Sequence, residues 1–75
     1  MKNPAGIKSF GAHLRRLRME KNWSQQELAD TANIAKTTVQ RIENAKFTVS
    51  LDVLISLSEA LQIPLRELID FPPHE

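Results

Sequence analysis

Between Asn22 and Leu28 the sequence dictates a helix start that leaves the chain little freedom. Ser24 stands three residues before Glu27, so its hydroxyl can accept from the amide of residue 27 while the Glu27 carboxylate reaches back to the amide of residue 24, forming a capping box. Trp23 before the cap and Leu28 at the fourth helical position can clasp as a hydrophobic staple, which sets the angle at which the chain enters the helix. Asn22, just upstream, suits the left-handed residue that closes a preceding helix. Two helices must therefore meet at a defined corner.

The rest of the chain continues in short helices, with no period-two alternation long enough for a strand, and the expected class is all-α. Ile7, Phe10, Leu14 and Leu17 recur at three- and four-residue steps and form the inner face of a first helix ending near Lys21 and Asn22. The second helix runs to about Ala32, where Asn33 can take positive φ and Ile34 turns inward. A third starts near Ala35, with Val39 and Ile42 inward and Lys36, Thr37, Gln40, Arg41 and Asn44 outward. Ser50 caps a fourth helix, with Asp52 at its positive end and Val49 and Leu54 placed for a second staple. Leu51, Leu54, Ile55 and Leu61 make one apolar stripe and Val53, Leu57 and Ala60 another, so only Asp52, Ser56 and Glu59 are expected to be wet. Pro64 suits the start of a short fifth helix through Leu65, Leu68 and Ile69, which Pro72 and Pro73 prevent from continuing. Residues 1–6, with Pro4 and Gly6, read as a flexible arm, residues 7–71 as one domain and residues 72–75 as a tail.

Seventy-five residues can enclose only one core. The absence of cysteine excludes a disulfide framework and thiolate metal sites and fits a reducing cytoplasm. The two histidines, His13 and His74, have no metal-ligand spacing, so no metal or other cofactor is expected, and His13 reads as a surface residue. No apolar stretch approaches the ~18 residues that span a bilayer, and the first seven residues lack the apolar core of a secretory signal. Ser24 has no His and Asp partners, and there is no carboxylate pair, glycine-rich phosphate loop or small-molecule pocket to suggest an enzyme. The net charge is +1, but it divides unevenly. Residues 1–46 carry nine basic against four acidic side chains (+5), whereas residues 47–75 carry Arg66 against five acidic ones (−4). The first part could meet a polyanion that the second would repel.

Helices two and three are consecutive, short and joined by about three residues around Asn33, with small Ala29 where they must approach. That is helix-turn-helix geometry, in which the second helix is the right width for the DNA major groove. The amides of Gln25 and Gln26, at the positive end of helix two, could clamp a phosphate. Trp23-Ser24-Gln25-Gln26-Glu27-Leu28-Ala29, then Ala32-Asn33-Ile34, then Val39 and Ile42-Glu43-Asn44, resemble the Cro/Xre-type helix-turn-helix domain of phage and bacterial repressors. The resemblance extends to Leu14, Arg15 and Arg18 upstream and to Ser50-Leu51-Asp52, Leu54, Ala60-Leu61 and Leu65 to Leu68 downstream, with the motif itself at about residues 24 to 44. It implies a five-helix, lambda-repressor-like bundle that binds double-stranded DNA as a dimer on a palindromic operator.

Carried onto this sequence, the resemblance makes Gln25 a brace for helix three that also touches DNA. It makes Lys36, Thr37 and Arg41 base readers, with Gln40 a fourth: Lys36 and Arg41 can donate to guanine O6 and N7, and Thr37 can meet a thymine methyl. Asn44, Lys46, Thr48 and Arg15 fall where phosphates would be held. Arg18 and Glu43 match a pair bridging helices one and three, while Trp23 and Phe47 read as core. Three positions depart from the family pattern. Ala35 replaces a Ser or Thr cap, with Gln25 as a substitute, Ala45 replaces a Gly after Asn44, and Val49 replaces a Pro. A dimer surface would come from helices four and five, through Ile55, Leu65, Ile69 and Phe71, placing the recognition helices about 34 Å apart. The alternative is a protein-interaction module, an antitoxin or adaptor using the apolar C-terminal face, which would not need Lys36, Thr37 and Arg41 exposed.

Overall fold

The computed structural model describes residues 4–46 and 49–71. Five helices follow in order, α1 (Pro4–Glu20), α2 (Gln25–Ala32), α3 (Lys36–Glu43), α4 (Leu51–Leu61) and α5 (Leu65–Leu68), and no strand occurs among the described residues. The class and the helix order match the expectation, but α1 begins earlier than the sequence suggested. Residues 4–6, read as arm, are helical, because a proline's missing amide hydrogen is no loss in a helix's first turn. Residues 1–3, Phe47, Thr48 and the tail at 72–75 lie outside the described residues.

The core draws on every helix: Phe10 and Leu14 of α1, Leu28, Ala29 and Ala32 of α2, Val39 and Ile42 of α3, Leu57, Ala60 and Leu61 of α4, and Leu68 of α5. Trp23 and Leu28, the staple pair, both join it. α3 packs between α1 and α2, α2 also meets α4, and α4 meets α5. Because α3 contributes only Val39 and Ile42 to the interior, most of its surface faces outward.

The turns after α1 to α4 share one closing geometry. Asn22, Asn33, Ala45 and Gln62 adopt φ of 59°, 57°, 56° and 57°, in the left-handed region. The amide one residue further on donates back across each: Trp23 to the Arg18 carbonyl (3.2 Å), Ile34 to Ala29 (3.0 Å), Lys46 to Arg41 (2.8 Å) and Ile63 to Ser58 (3.1 Å). This is the Schellman closure, whose apolar following residue normally folds back onto the helix. Trp23, Ile34 and Ile63 do pack on the core, and exposed Lys46 is the exception. Asn22 and Asn33 behave as the sequence indicated, whereas Gln62 adopts the same conformation without such a signal, with half-buried Ile63 packed on the core after it.

Two expectations about coverage are corrected. α4 is not wet along a single edge only: Leu51 and Ile55 are 62% and 40% exposed. The single turn of α5 is about 6 Å long against about 16 Å for α4, too short to cover that flank. His13 is not a surface residue but 7% exposed. Its Nε2 meets the Glu67 carbonyl oxygen of α5 at 3.2 Å, Arg16 Nη2 donates to its Nδ1, and the Phe71 ring lies 5.9 Å away. Phe71 also packs on Phe10 at 5.8 Å. Of the four residues assigned to a dimer surface, Leu65 and Phe71 are thus partly used within the protomer, while Ile55 and Ile69 (49%) remain exposed.

Candidate nucleic-acid interface

The start of α2 is held as its sequence requires. The Glu27 amide donates to Ser24 Oγ at 3.0 Å and the Ser24 amide to Glu27 Oε1 at 2.8 Å. The first-turn amides of Gln25 and Gln26 have no acceptor within an α-helix and lie at the positive end of its dipole, where an anion is favoured. The Gln26 side chain donates to Asp30 Oδ1 at 2.7 Å on the exposed surface.

α3 is held from outside rather than by its own ends. Its N-terminus has no side-chain cap, since Ala35 offers none. The expected substitute is overturned: Gln25 reaches the opposite end of α3, where its Nε2 donates to Glu43 Oε1 at 3.2 Å. Glu43 also receives both prongs of Arg18, Nε to Oε2 at 2.8 Å and Nη2 to Oε1 at 3.0 Å, while Arg18 Nη1 donates to the Trp23 carbonyl at 2.7 Å. One carboxylate thereby ties α1, the α1–α2 turn and α2 to the last residue of α3. The pair is nearly dry, with side-chain exposures of 12% for Arg18 and 3% for Glu43. The hydrogen bond that Arg18 donates to Glu43 raises the Arg18 pKa above its already high value against the opposing effect of burial. Because that shift is upward, the stabilisation it represents is present throughout the neutral range and is lost only in strong alkali.

Gly11 sets the distance between α1 and α3, a role the sequence reading did not assign. A Cβ at this position would be driven into the Ile42 carbonyl oxygen and would lie 3.2 Å from that of Glu43. Both atoms are backbone in the last turn of α3, so neither can swing aside. An isolated glycine inside an amphipathic helix is the sequence signal for such a close approach.

With α3 clamped this way, Lys36, Thr37 and Arg41 are exposed and Gln40 is half-buried beside them. Asn44 and Lys46 are exposed just beyond the helix, and Arg15 is exposed on α1. Since the Lys46 amide is engaged by the Arg41 carbonyl, only its side chain is left for an anion. Thr48 lies outside the described residues. Lys8 and Arg16, two further exposed cations that the sequence reading passed over, stand on α1 near the same end of α3. Among the described residues no group of three His, Cys, Asp or Glu side chains could hold a metal ion, and no helix is long and apolar enough to cross a membrane.

Comparison with known proteins agrees with this geometry. A family model described as helix-turn-helix matches residues 14–68. Control protein C.BamHI of Bacillus amyloliquefaciens is 36% identical over 63 residues, covering 83% of this chain and 78% of that protein. An HTH-type transcriptional regulatory protein of Pyrococcus furiosus is 40% identical over 64 residues, which cover 85% of this chain but only 20% of that longer protein. Among solved structures, the restriction-modification controller protein C.AhdI from Aeromonas hydrophila superposes with a TM-score of 0.80 at 37% identity, covering 83% of this chain and 94% of that one.

Proposed function

Because the chain belongs to the Cro/C1-type helix-turn-helix family of DNA-binding transcriptional regulators, we propose that it reads a two-fold symmetric operator as a homodimer, as a repressor or small controller protein. The observation that carries this reading is the exposed row Lys36, Thr37 and Arg41 on a helix locked at its far end by Arg18, Gln25 and Glu43. A surface built only for protein contacts would not need cations presented so rigidly. Lys36 and Arg41 read guanine edges and Thr37 a thymine methyl, with Gln40 alongside, while Asn44, Lys46, Arg15, Thr48 and the N-terminal turn of α2 hold phosphates. The exposed apolar side chains Leu51, Ile55 and Ile69, on the acidic part of the chain, supply the surface for a second copy. The likeness to C.BamHI and C.AhdI over most of each of those proteins supports the controller role.

Selection of bound duplexes from a random library at physiological salt tests this, since phosphate contacts alone bind weakly there. An inverted repeat with half-sites about ten base pairs apart is the expected product. Repeating the selection with Arg41→Ala should relax one position per half-site and cost roughly 1 to 3 kcal/mol on the operator. Recovery of no sequence by folded protein would overturn the regulator in favour of an interaction module.

A further inference from the structure

Lys8, Ala12, Arg15 and Met19 succeed one another along α1 at four-, three- and four-residue steps, the spacing of a single helical face. With Arg16 and with Glu43 at the end of α3 they line a surface groove of about 540 Å³. The small Ala12 side chain keeps its floor low between Lys8 and Arg15. Glu43 adds no free negative charge, because both its oxygens are engaged by Arg18. Among the described residues neither Lys8 nor Arg15 has an ion-pair partner, while Arg16 is steadied at the edge by its bond to His13. Glu20, the other carboxylate on the rim, stands four residues beyond Arg16 and twelve beyond Lys8, so it borders the groove only toward the C-terminal end of α1.

We infer that this groove is a second seat for the DNA backbone, where Lys8 and Arg15, with Arg16 beside them, hold phosphates of the strand that passes the end of α3. The inference rests on the DNA-binding reading above and extends it along α1, joining Lys8 and Arg16 to Arg15 in one groove. Lys8 and Arg15 are separated by about 10.5 Å along the helix, far enough for each to meet a different phosphate of one strand. The groove adjoins the end of α3, after which Asn44 and Lys46 continue the same electropositive edge. A linear polyanion fits this run of spaced cations better than a compact anion, for which no buried polar group closes the groove.

The test compares the unaltered protein with the double variant Lys8→Gln, Arg15→Gln on a mixed-sequence duplex of about three helical turns across a range of salt concentrations. Each lost contact should lower the magnitude of the slope of log affinity against log salt by about 0.9, so the double variant should fall by nearly two. Arg66→Gln, which removes an exposed cation on α5, should leave the slope unchanged. On the selected operator, neutralising single phosphates as methylphosphonates should weaken the unaltered protein at two or three positions where the double variant is indifferent. Equal slopes and identical phosphate sensitivities for the two proteins would overturn the groove while leaving DNA binding by α3 intact. Absence of any binding by the unaltered protein would instead remove the DNA reading itself. Both substituted residues are exposed, so an unchanged circular dichroism spectrum and melting temperature confirm that the fold survives.

Discussion

α2 and α3 are consecutive helices of eight residues each, yet they are fixed in opposite ways. α2 carries its own instructions: a reciprocal capping box at the start and Asn33 in the left-handed conformation at the end. α3 has no side-chain cap, and its closing turn forces Ala45 to φ of 56°. What holds α3 is the carboxylate of Glu43, gripped by Arg18 and Gln25, together with the backbone contact at Gly11 and the burial of Val39 and Ile42. The helix that presents the reading surface is therefore specified by its neighbours, and its outer positions are left free of structural duty. Exchanging Lys36, Thr37 or Arg41 could change the reading without changing the seat.

The strongest challenge to this contrast is removal of the clamp. Glu43→Ala strands the Arg18 guanidinium in a nearly dry site, and the expected loss is about 3 kcal/mol or more in urea unfolding. A double change of Arg18 and Glu43 to apolar residues of similar size should lose less than this single change, because no buried charge is left behind. If Glu43→Ala unfolds as the parent does, α3 is self-supporting and the contrast fails.

Gly11→Ala comes next. At an open helical position this substitution gains up to about 1 kcal/mol. Here the new methyl group meets the backbone of Ile42 and Glu43, and the expected outcome is a loss of about 1 to 3 kcal/mol. The loss should be accompanied by a weakened preference for operator over mixed-sequence DNA, since α3 is displaced. An increase in melting temperature would show that α1 and α3 are less tightly apposed.

These two positions also show where the sequence was legible. Much that is local could be read directly: the capping box at Ser24 and Glu27, the left-handed asparagines, the inward pair Val39 and Ile42, and the outward row on α3. The Arg18–Glu43 pair was read only through family resemblance, because a bridge spanning 25 residues has no local signature. Gly11 and His13 were missed for a related reason. Each answers to a partner distant in sequence, the end of α3 for Gly11 and α5 for His13, 54 residues from its Glu67 acceptor. His13 does stand three residues after Phe10 and four before Leu17, on the buried face, so the helical period carried the signal although the residue type argued against it.

The two helix starts give a matched pair of smaller effects. Ser24→Ala removes one half of the capping box and should cost about 1 kcal/mol. Ala35→Ser supplies α3 with the cap it lacks and should return a gain of up to about the same size. Thermal melts of the two variants check both signs, and a neutral Ala35→Ser would mean that the α3 amides are already satisfied in solution.

The smallest effect concerns the other end of α3. An L-residue in the left-handed region costs roughly 1 to 2 kcal/mol, and Ala45 has no polar side chain with which to offset it, unlike Asn22 and Asn33 in the corresponding turns. Glycine removes that strain but also enlarges the freedom of the unfolded chain, a penalty of about 0.5 to 1 kcal/mol. Ala45→Gly should therefore stabilise by only about half a kcal/mol, visible as a small rise in melting temperature. The gain should leave the Glu43→Ala loss unaltered when the two changes are combined, if the clamp and the turn act independently. Their separation by only two residues makes that additivity the sharper measurement. A Glu43→Ala loss that shrinks in the Ala45→Gly background would show that part of the clamp's task is to hold the strained turn closed, joining the two ends of the contrast into one device.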